Sequence, residues 1–258
     1  WCRDFGAIAV ENNGMNELCN FKFNAWGNKF QWALDNDVTD KMNNLGLFSC
    51  KVNDCSNFIL EGGSIETDGN GTLLVTSQCL LTPTRNPHMS KQEIETYLCN
   101  TLGVRKVLWL DYGAFAGDDT DSHIDTLARI APDNSIIYAG CDNTDDEHYD
   151  ELAKMEKQLS TFTNADGIPY KLYKLPFPDT IYDEDGERLP ATYANYLIVN
   201  GAVIVPTYNQ PSNDLKAISI IKKAFPAHAI VGVDCRALIK QHGSLHCVTM
   251  QYPEGFIE

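Results

Sequence analysis

Four side chains in this sequence make a set that suits one difficult reaction: Asp4, His123, Asp125 and Cys247. The reaction is cleavage of a guanidinium group, a delocalised cation whose carbon is a poor electrophile and whose nitrogens leave reluctantly. A site for it must fix the planar cation, attack with a strong nucleophile and protonate the departing nitrogen. Two carboxylates meet the first need, because each accepts paired N–H bonds from the fork. A thiolate meets the second and a histidine the third. Each residue of the set lies in a short apolar stretch bounded by turn residues, and Glu61 and Asn195 mark two more positions of the same kind.

These stretches read as five hairpins, over residues 1–10, 58–76, 122–140, 193–209 and 243–253. Their marked residues are separated by 52 to 72 positions (4 to 61, 61 to 123, 123 to 195, 195 to 247), a loose repeat that suggests modules around one axis. Between hairpins the pattern turns helical. Ser90-Lys91-Gln92-Glu93 has the form of a capping box, Ile94, Leu98 and Leu102 mark one helical face, and Gly103 ends it before a strand over 104–110. Helices near 148–159 and 213–225 precede strands near 170–175 and 229–233. The unit is hairpin, helix, strand.

The first hairpin is followed by looser helical turns over 24–31 and 37–45 and a strand over 47–52. The fifth is followed by nothing, so a ring of such units stays open unless a preceding N-terminal segment supplies the closing helix and strand. Loops over 112–121 and 177–191 are rich in Asp, Gly and Pro. The whole chain reads as one domain.

A formal charge of −15 would repel phosphate, which argues against a nucleic-acid partner and suits a cationic small substrate or plain solubility. No apolar run approaches the ~18 residues of a membrane span. Nine cysteines, an odd count without compact spacing, point to a reducing, cytoplasmic setting, with Cys2, Cys19, Cys79, Cys99, Cys141 and Cys235 as small apolar packing groups. No His/Cys cluster is spaced for zinc, and neither a metal nor a cofactor is expected. An assembly of several copies is compatible with the sequence.

The order of the stretches WCRDFG, FNAWGNKF, LEGGSIETDGNGTLLVTSQCLLTPTRNPH, GDDTDSHIDTLARI, YANYLIVNGAVIVPTYN and QHGSLHCVTMQ resembles the guanidino-modifying penteins, within them the agmatine deiminase and bacterial peptidylarginine deiminase group. The resemblance implies an α/β propeller of five ββαβ modules, the last incomplete here. It also implies that Cys247 is the nucleophile, His123 the general acid and base, and Asp4 and Asp125 the guanidinium carboxylates. Glu61 would be a site-lining acid, Trp1 an aromatic along the substrate and Asn195 a substrate-side polar group. The chain departs from the pattern at Gln241-His242-Gly243-Ser244, where a glycine triplet is usual, and at the acidic stretch 117–121.

The expected reaction is conversion of agmatine to N-carbamoylputrescine and ammonia. A deiminase of arginine or peptidylarginine is the nearest alternative, disfavoured by the lack of a basic cluster in the site motifs, and a non-catalytic pentein binding protein is the alternative of another class. His242 reads as a loop residue rather than the partner of Cys247, and Glu61 as a ligand or a brace for the glycines after it. Gly69-Asn70-Gly71 reads as a hairpin turn. Asp118, Asp119 and Asp121 are either a solvated loop or a seat for a cation or the substrate's distal amine.

Overall fold

A computed structural model describes residues 1–257. It contains four three-stranded sheets built to one plan, with no closed barrel among the described residues. In the first, β1 (Ile8–Asn12) and β2 (Met15–Lys22) form a hairpin and β3 (Lys51–Ile59) runs parallel to β2. The second contains β4 (Ile65–Thr67), β5 (Thr72–Thr76) and β6 (Lys106–Leu110). The third contains β7 (Ala128–Ala131), β8 (Ser135–Ala139) and β9 (Lys171–Leu175). The fourth contains β10 (Leu197–Val199), β11 (Ala202–Thr207) and β12 (Ala229–Asp234).

A parallel third strand needs a crossover, and in three sheets one long helix supplies it. Those helices are Lys91–Leu102, Tyr149–Leu159 and Pro211–Ala224. Their apolar stripes, such as Leu152, Met155 and Leu159, pack on the sheets. The Ser90–Glu93 capping box forms as its sequence predicts, and Gly103 closes the helix at φ 70. In the first unit the crossover is instead a chain of short turns, and the strand after it begins at Lys51 rather than at 47.

The hairpins lie later in the chain than the sequence suggests. Residues 1–6 form a helical turn, closed by Gly6 N–H donating to Cys2 O, and the hairpin begins at Ile8. Its turn is Asn13-Gly14, with φ of 52 and 77, as a two-residue type I′ connection requires. Residues 58 and 59 finish β3, residues 122–127 precede β7, and residues 193–196 precede β10. The marked residues Asp4, Glu61, His123, Asp125 and Asn195 therefore all sit in short helical turns or irregular segments just ahead of a hairpin.

The expected fifth hairpin does not form. Residues 243–253 contain no strand, and 245–248 form a turn held by Val248 N–H to Ser244 O and Thr249 N–H to His246 O. Their backbone is committed to Asn195 and Arg3, so no strand partner is engaged. No described helix is long and apolar enough to cross a membrane. Of the six cysteines read as packing groups, Cys19, Cys79, Cys141 and Cys235 are buried, whereas Cys2 and Cys99 are only half-buried.

Candidate active site

The pre-hairpin segments converge. Gly62 and Gly63 follow Glu61 in a tight turn whose backbone is pressed against two other segments. A Cβ on Gly62 would fall 2.2 Å from the carbonyl oxygen of Arg3. One on Gly63 would meet His123 Nδ1 at 2.6 Å, Asp4 Oδ1 at 2.8 Å and Asp125 Oδ2 at 3.2 Å. Only glycine fits between three functional groups that close. Gly63 N–H also donates to Asp4 Oδ1 at 2.9 Å.

The other oxygen of Asp4 accepts from the Trp26 indole N–H at 3.1 Å. Trp26 reaches it from a left-handed turn, Ala25–Asn28, in which four successive residues have positive φ: 49, 54, 93 and 64. Such a turn costs about 1–2 kcal/mol for each non-glycine residue and persists only where its surroundings enforce it. Here Asn24 accepts from Gly27 N–H and donates to Thr84 O, and the Trp26 ring packs edge-on against Phe23 and Phe30.

Cys247 is buried in the turn that follows Gly243. Asn195 builds that turn: its Oδ1 accepts from the backbone N–H of His246 at 2.9 Å and of Cys247 at 3.3 Å, and its Nδ2 donates to Cys247 Sγ at 3.2 Å. Asn195 thus stands behind the thiol, fully buried. The thiol donates to Asp125 Oδ2 at 3.5 Å. His123 is wholly buried, its Nδ1 3.6 Å from Asp4 and its Nε2 3.8 Å from Glu61, with no hydrogen bond to either ring nitrogen.

Burial sets the electrostatics. It pushes Asp4 upward and lifts Asp125 to about 6, although the charge of His123 opposes both. Burial also drives the Cys247 thiol well above its ordinary value, and Asp125 and Asp4 add to the effect. For His123 burial acts to lower the pKa, but Asp4, Cys79 and Glu61 outweigh it and hold the imidazole protonated. The resting arrangement is therefore a neutral thiol beside a cationic imidazole, with the Asp4 and Asp125 carboxyls held above the usual carboxylate range.

A cavity of about 440 Å³ opens onto this cluster. Asp4 and Cys247 reach its inner wall, Trp1 and Trp26 flank it, and Asp119, Asp35, Lys240 and His242 stand nearer solvent. Gly243 lies flat against Trp1, where a Cβ would fall 2.6 Å from the ring. The three acids of the loop before His123 divide by role. Asp118 caps the turn through Thr120 and Ser122, Asp121 pairs with Arg85 and Lys29, and Asp119 alone faces the cavity. His242 is a loop residue bonded to Gly117 O, as the sequence predicts.

Sequence reasoning missed several partners. Glu61 is paired in full burial with Arg85, from the RNPH stretch, at 3.1 Å. His246, adjacent to Cys247, bonds Asp125. Trp26 lies in FNAWG, whose role sequence alone left unassigned. Glu61, Cys79 and His123 present ligand atoms within 4.8 Å of one another, a spacing that suits a soft cation, but Arg85 already neutralises Glu61.

Over residues 1–253 the chain matches the family described as Porphyromonas-type peptidyl-arginine deiminase. The chain belongs to that family. A curated member, agmatine deiminase of Pseudomonas syringae pv. tomato, is 34% identical over 279 residues, which covers 99% of this chain and 75% of the relative. A Porphyromonas gingivalis structure provisionally described as an arginine deiminase is 49% identical at a TM-score of 0.97, covering 100% of this chain and 76% of its own. A C. jejuni agmatine deiminase carrying a Cys-to-Ser change and bound substrate is 44% identical at a TM-score of 0.89, covering 96% and 71%. The family resemblance read from the motifs is thereby established.

Proposed function

We propose that this chain is an agmatine deiminase, which hydrolyses agmatine to N-carbamoylputrescine and ammonia. The observation that carries the reading is the closed end of the cavity, where Asp4, His123 and Asp125 crowd around Gly63 with no room for a larger residue and the Cys247 thiol meets Asp125. The names borne by the curated relative and by the C. jejuni structure support the same chemistry.

Asp4 and Asp125 hold the guanidinium, and the arriving cation offsets both the burial and the carboxylate repulsion that keep the Cys247 thiol protonated. The sulfur then bonds to the central carbon. The thiol proton passes to solvent, one C–N bond breaks as His123 delivers its own proton, and ammonia leaves with His123 now neutral. The enzyme now carries a cationic amidino thioether on Cys247. His123 takes a proton from water as its oxygen bonds to the same carbon, and the C–S bond breaks to regenerate the thiol. The products are the neutral ureido compound and one released proton, which converts ammonia to ammonium.

Asp119, a cavity-facing acid without an ion-pair partner among the described residues, supports a substrate whose far end is an amine. Lys240 on the same wall favours the second reading, arginine or peptidylarginine with a carboxylate or carbonyl there. Five positions ahead of, or in place of, a hairpin support a five-module propeller in one catalytic domain, and the odd cysteine count supports a cytoplasmic setting. Ammonia and ureido product should be measured with agmatine, arginine and a peptidylarginine in parallel. Turnover of either arginine compound with none of agmatine would overturn the assignment.

A further inference from the structure

Asp125 has one oxygen that is held twice and one that is not held at all. Its Oδ2 accepts from His246 Nδ1 at 2.7 Å and from the Cys247 thiol at 3.5 Å. Its Oδ1 is buried with no hydrogen-bond partner among the described residues. An unpaired buried carboxylate oxygen is costly, and its persistence calls for a ligand or a constraint.

The constraint begins at Glu66. Its Oε1 accepts from Ile130 N–H at 2.9 Å and its Oε2 from Arg129 Nε at 2.7 Å. Arg129 also donates through Nη1 to Tyr196 O at 2.7 Å, and its remaining Nη2 lies 3.2 Å from His246 Nε2. All four residues from Glu66 to Asp125 are buried. Guanidinium nitrogens donate and never accept, so His246 Nε2 must present its lone pair to Arg129. The ring proton is then on Nδ1, where it can only be donated to Asp125.

We propose that His246 is a positioning residue: Arg129, anchored by Glu66, fixes its tautomer, and the fixed N–H turns Asp125 so that Oδ1 stays open for the guanidinium of the substrate. This rests on the deiminase reading above. A doubly protonated ring would aim a proton at Arg129, and burial, followed by Arg129, Arg3 and His123, indeed holds His246 well below its ordinary pKa. The charges that bear on Asp125 itself are His123, Asp4, Arg129 and Arg3, with the Cys247 thiol beside it.

Three substitutions separate positioning from packing. His246→Asn keeps an N–H where Nδ1 stood, His246→Gln places its amide toward Arg129 instead, and His246→Leu removes both. Steady-state kinetics across pH should show KM raised about tenfold or more in the Gln and Leu variants, the loss of one hydrogen bond to a charged acceptor. The acid limb of kcat/KM should move to higher pH in those two, because Asp125 loses the donor that favours its ionised form. Asn should restore both to within about threefold.

If all three variants lose activity alike, with the acid limb unmoved, His246 is only packing and the proposal fails. Nitrogen NMR of the wild-type imidazole gives a test that no folding defect can obscure: a proton on Nε2 would overturn it outright. The deiminase reading is judged separately, on the wild type. If the wild type turns over none of the three guanidino substrates, guanidinium binding replaces KM as the readout, with weaker binding to Gln and Leu than to Asn expected and equal binding refuting the relay.

Discussion

The inner end of the cavity and its mouth are built on opposite principles. At the inner end most groups are fixed by another: Gly63 and Trp26 hold Asp4, Asn195 holds the Cys247 turn, and Arg85 holds Glu61. At the mouth, Asp119, Asp35, Lys240 and His242 come from loops and turns of mixed charge, half-buried or exposed. The difference teaches which part of a substrate each region reads. A guanidinium is rigid and planar, so a rigid site can exploit it, whereas a flexible tail is matched by charge more than by shape.

The largest effect should come from the innermost atom. Cys247→Ser should lower turnover at least about a thousandfold while agmatine binding stays measurable by calorimetry, because the carboxylates remain. Mass spectrometry of the wild type quenched during turnover should find an amidino adduct on Cys247. Near-normal turnover in the serine variant would remove the thiol from the mechanism.

Asp125→Asn should cut kcat/KM about a hundredfold or more and yet raise the melting temperature. The sign follows from proton binding. A carboxyl at about 6 in the fold and about 3.9 unfolded keeps its proton longer when folded, so its penalty grows as pH rises through that window and is complete above it. Two units correspond to about 3 kcal/mol at neutral pH. The gain in melting temperature over wild type should shrink toward pH 4, and a variant that melts lower at pH 7.5 would contradict the burial argument. In the wild type, kcat/KM should fall on the acid side with a midpoint near 6.

Trp26→Phe keeps the ring against Phe23 and Phe30 and deletes the N–H that Asp4 accepts. KM should rise about tenfold with a smaller change in kcat. An unchanged KM would mean that the left-handed turn serves the fold alone. Asp119→Asn tests the mouth and should be mildest, about a three- to tenfold rise in KM for agmatine, in line with a partly screened ion pair. If KM for arginine rose as much, the mouth would not be reading the amine.

Much of this site was legible because its chemistry needs particular residue types in particular company. The glycines after Glu61, the aspartate two residues after His123 and the thiol of Cys247 each stand in a motif that the family resemblance singled out. The hairpin, helix, strand unit was legible for a different reason: period and turn chemistry mark it, as in the Ser90 cap and the Gly69-Asn70-Gly71 turn between β4 and β5. Residues 243–253 misled because alternating apolar positions look the same whether or not a partner strand exists. The left-handed turn was hidden because only Gly27 and Asn28 of its four residues favour positive φ. The Arg129–His246 contact spans 117 positions of sequence, and no local signal reports such a pairing.

Arg3 N–H donates to Cys247 O, the Arg3 side chain reaches His246 O, and Phe48 bridges Ile257. Beside the Asn195 bonds, contacts that seat the Cys247 turn and the C-terminal stretch thus join parts of the chain more than two hundred residues apart. Closing so long a loop gains little until most intervening structure exists, so these contacts belong to the last stage of folding and the first stage of local opening. Catalytic competence should appear late in refolding, after the four sheets have formed, and amide exchange should release Cys247 before the strands of any sheet.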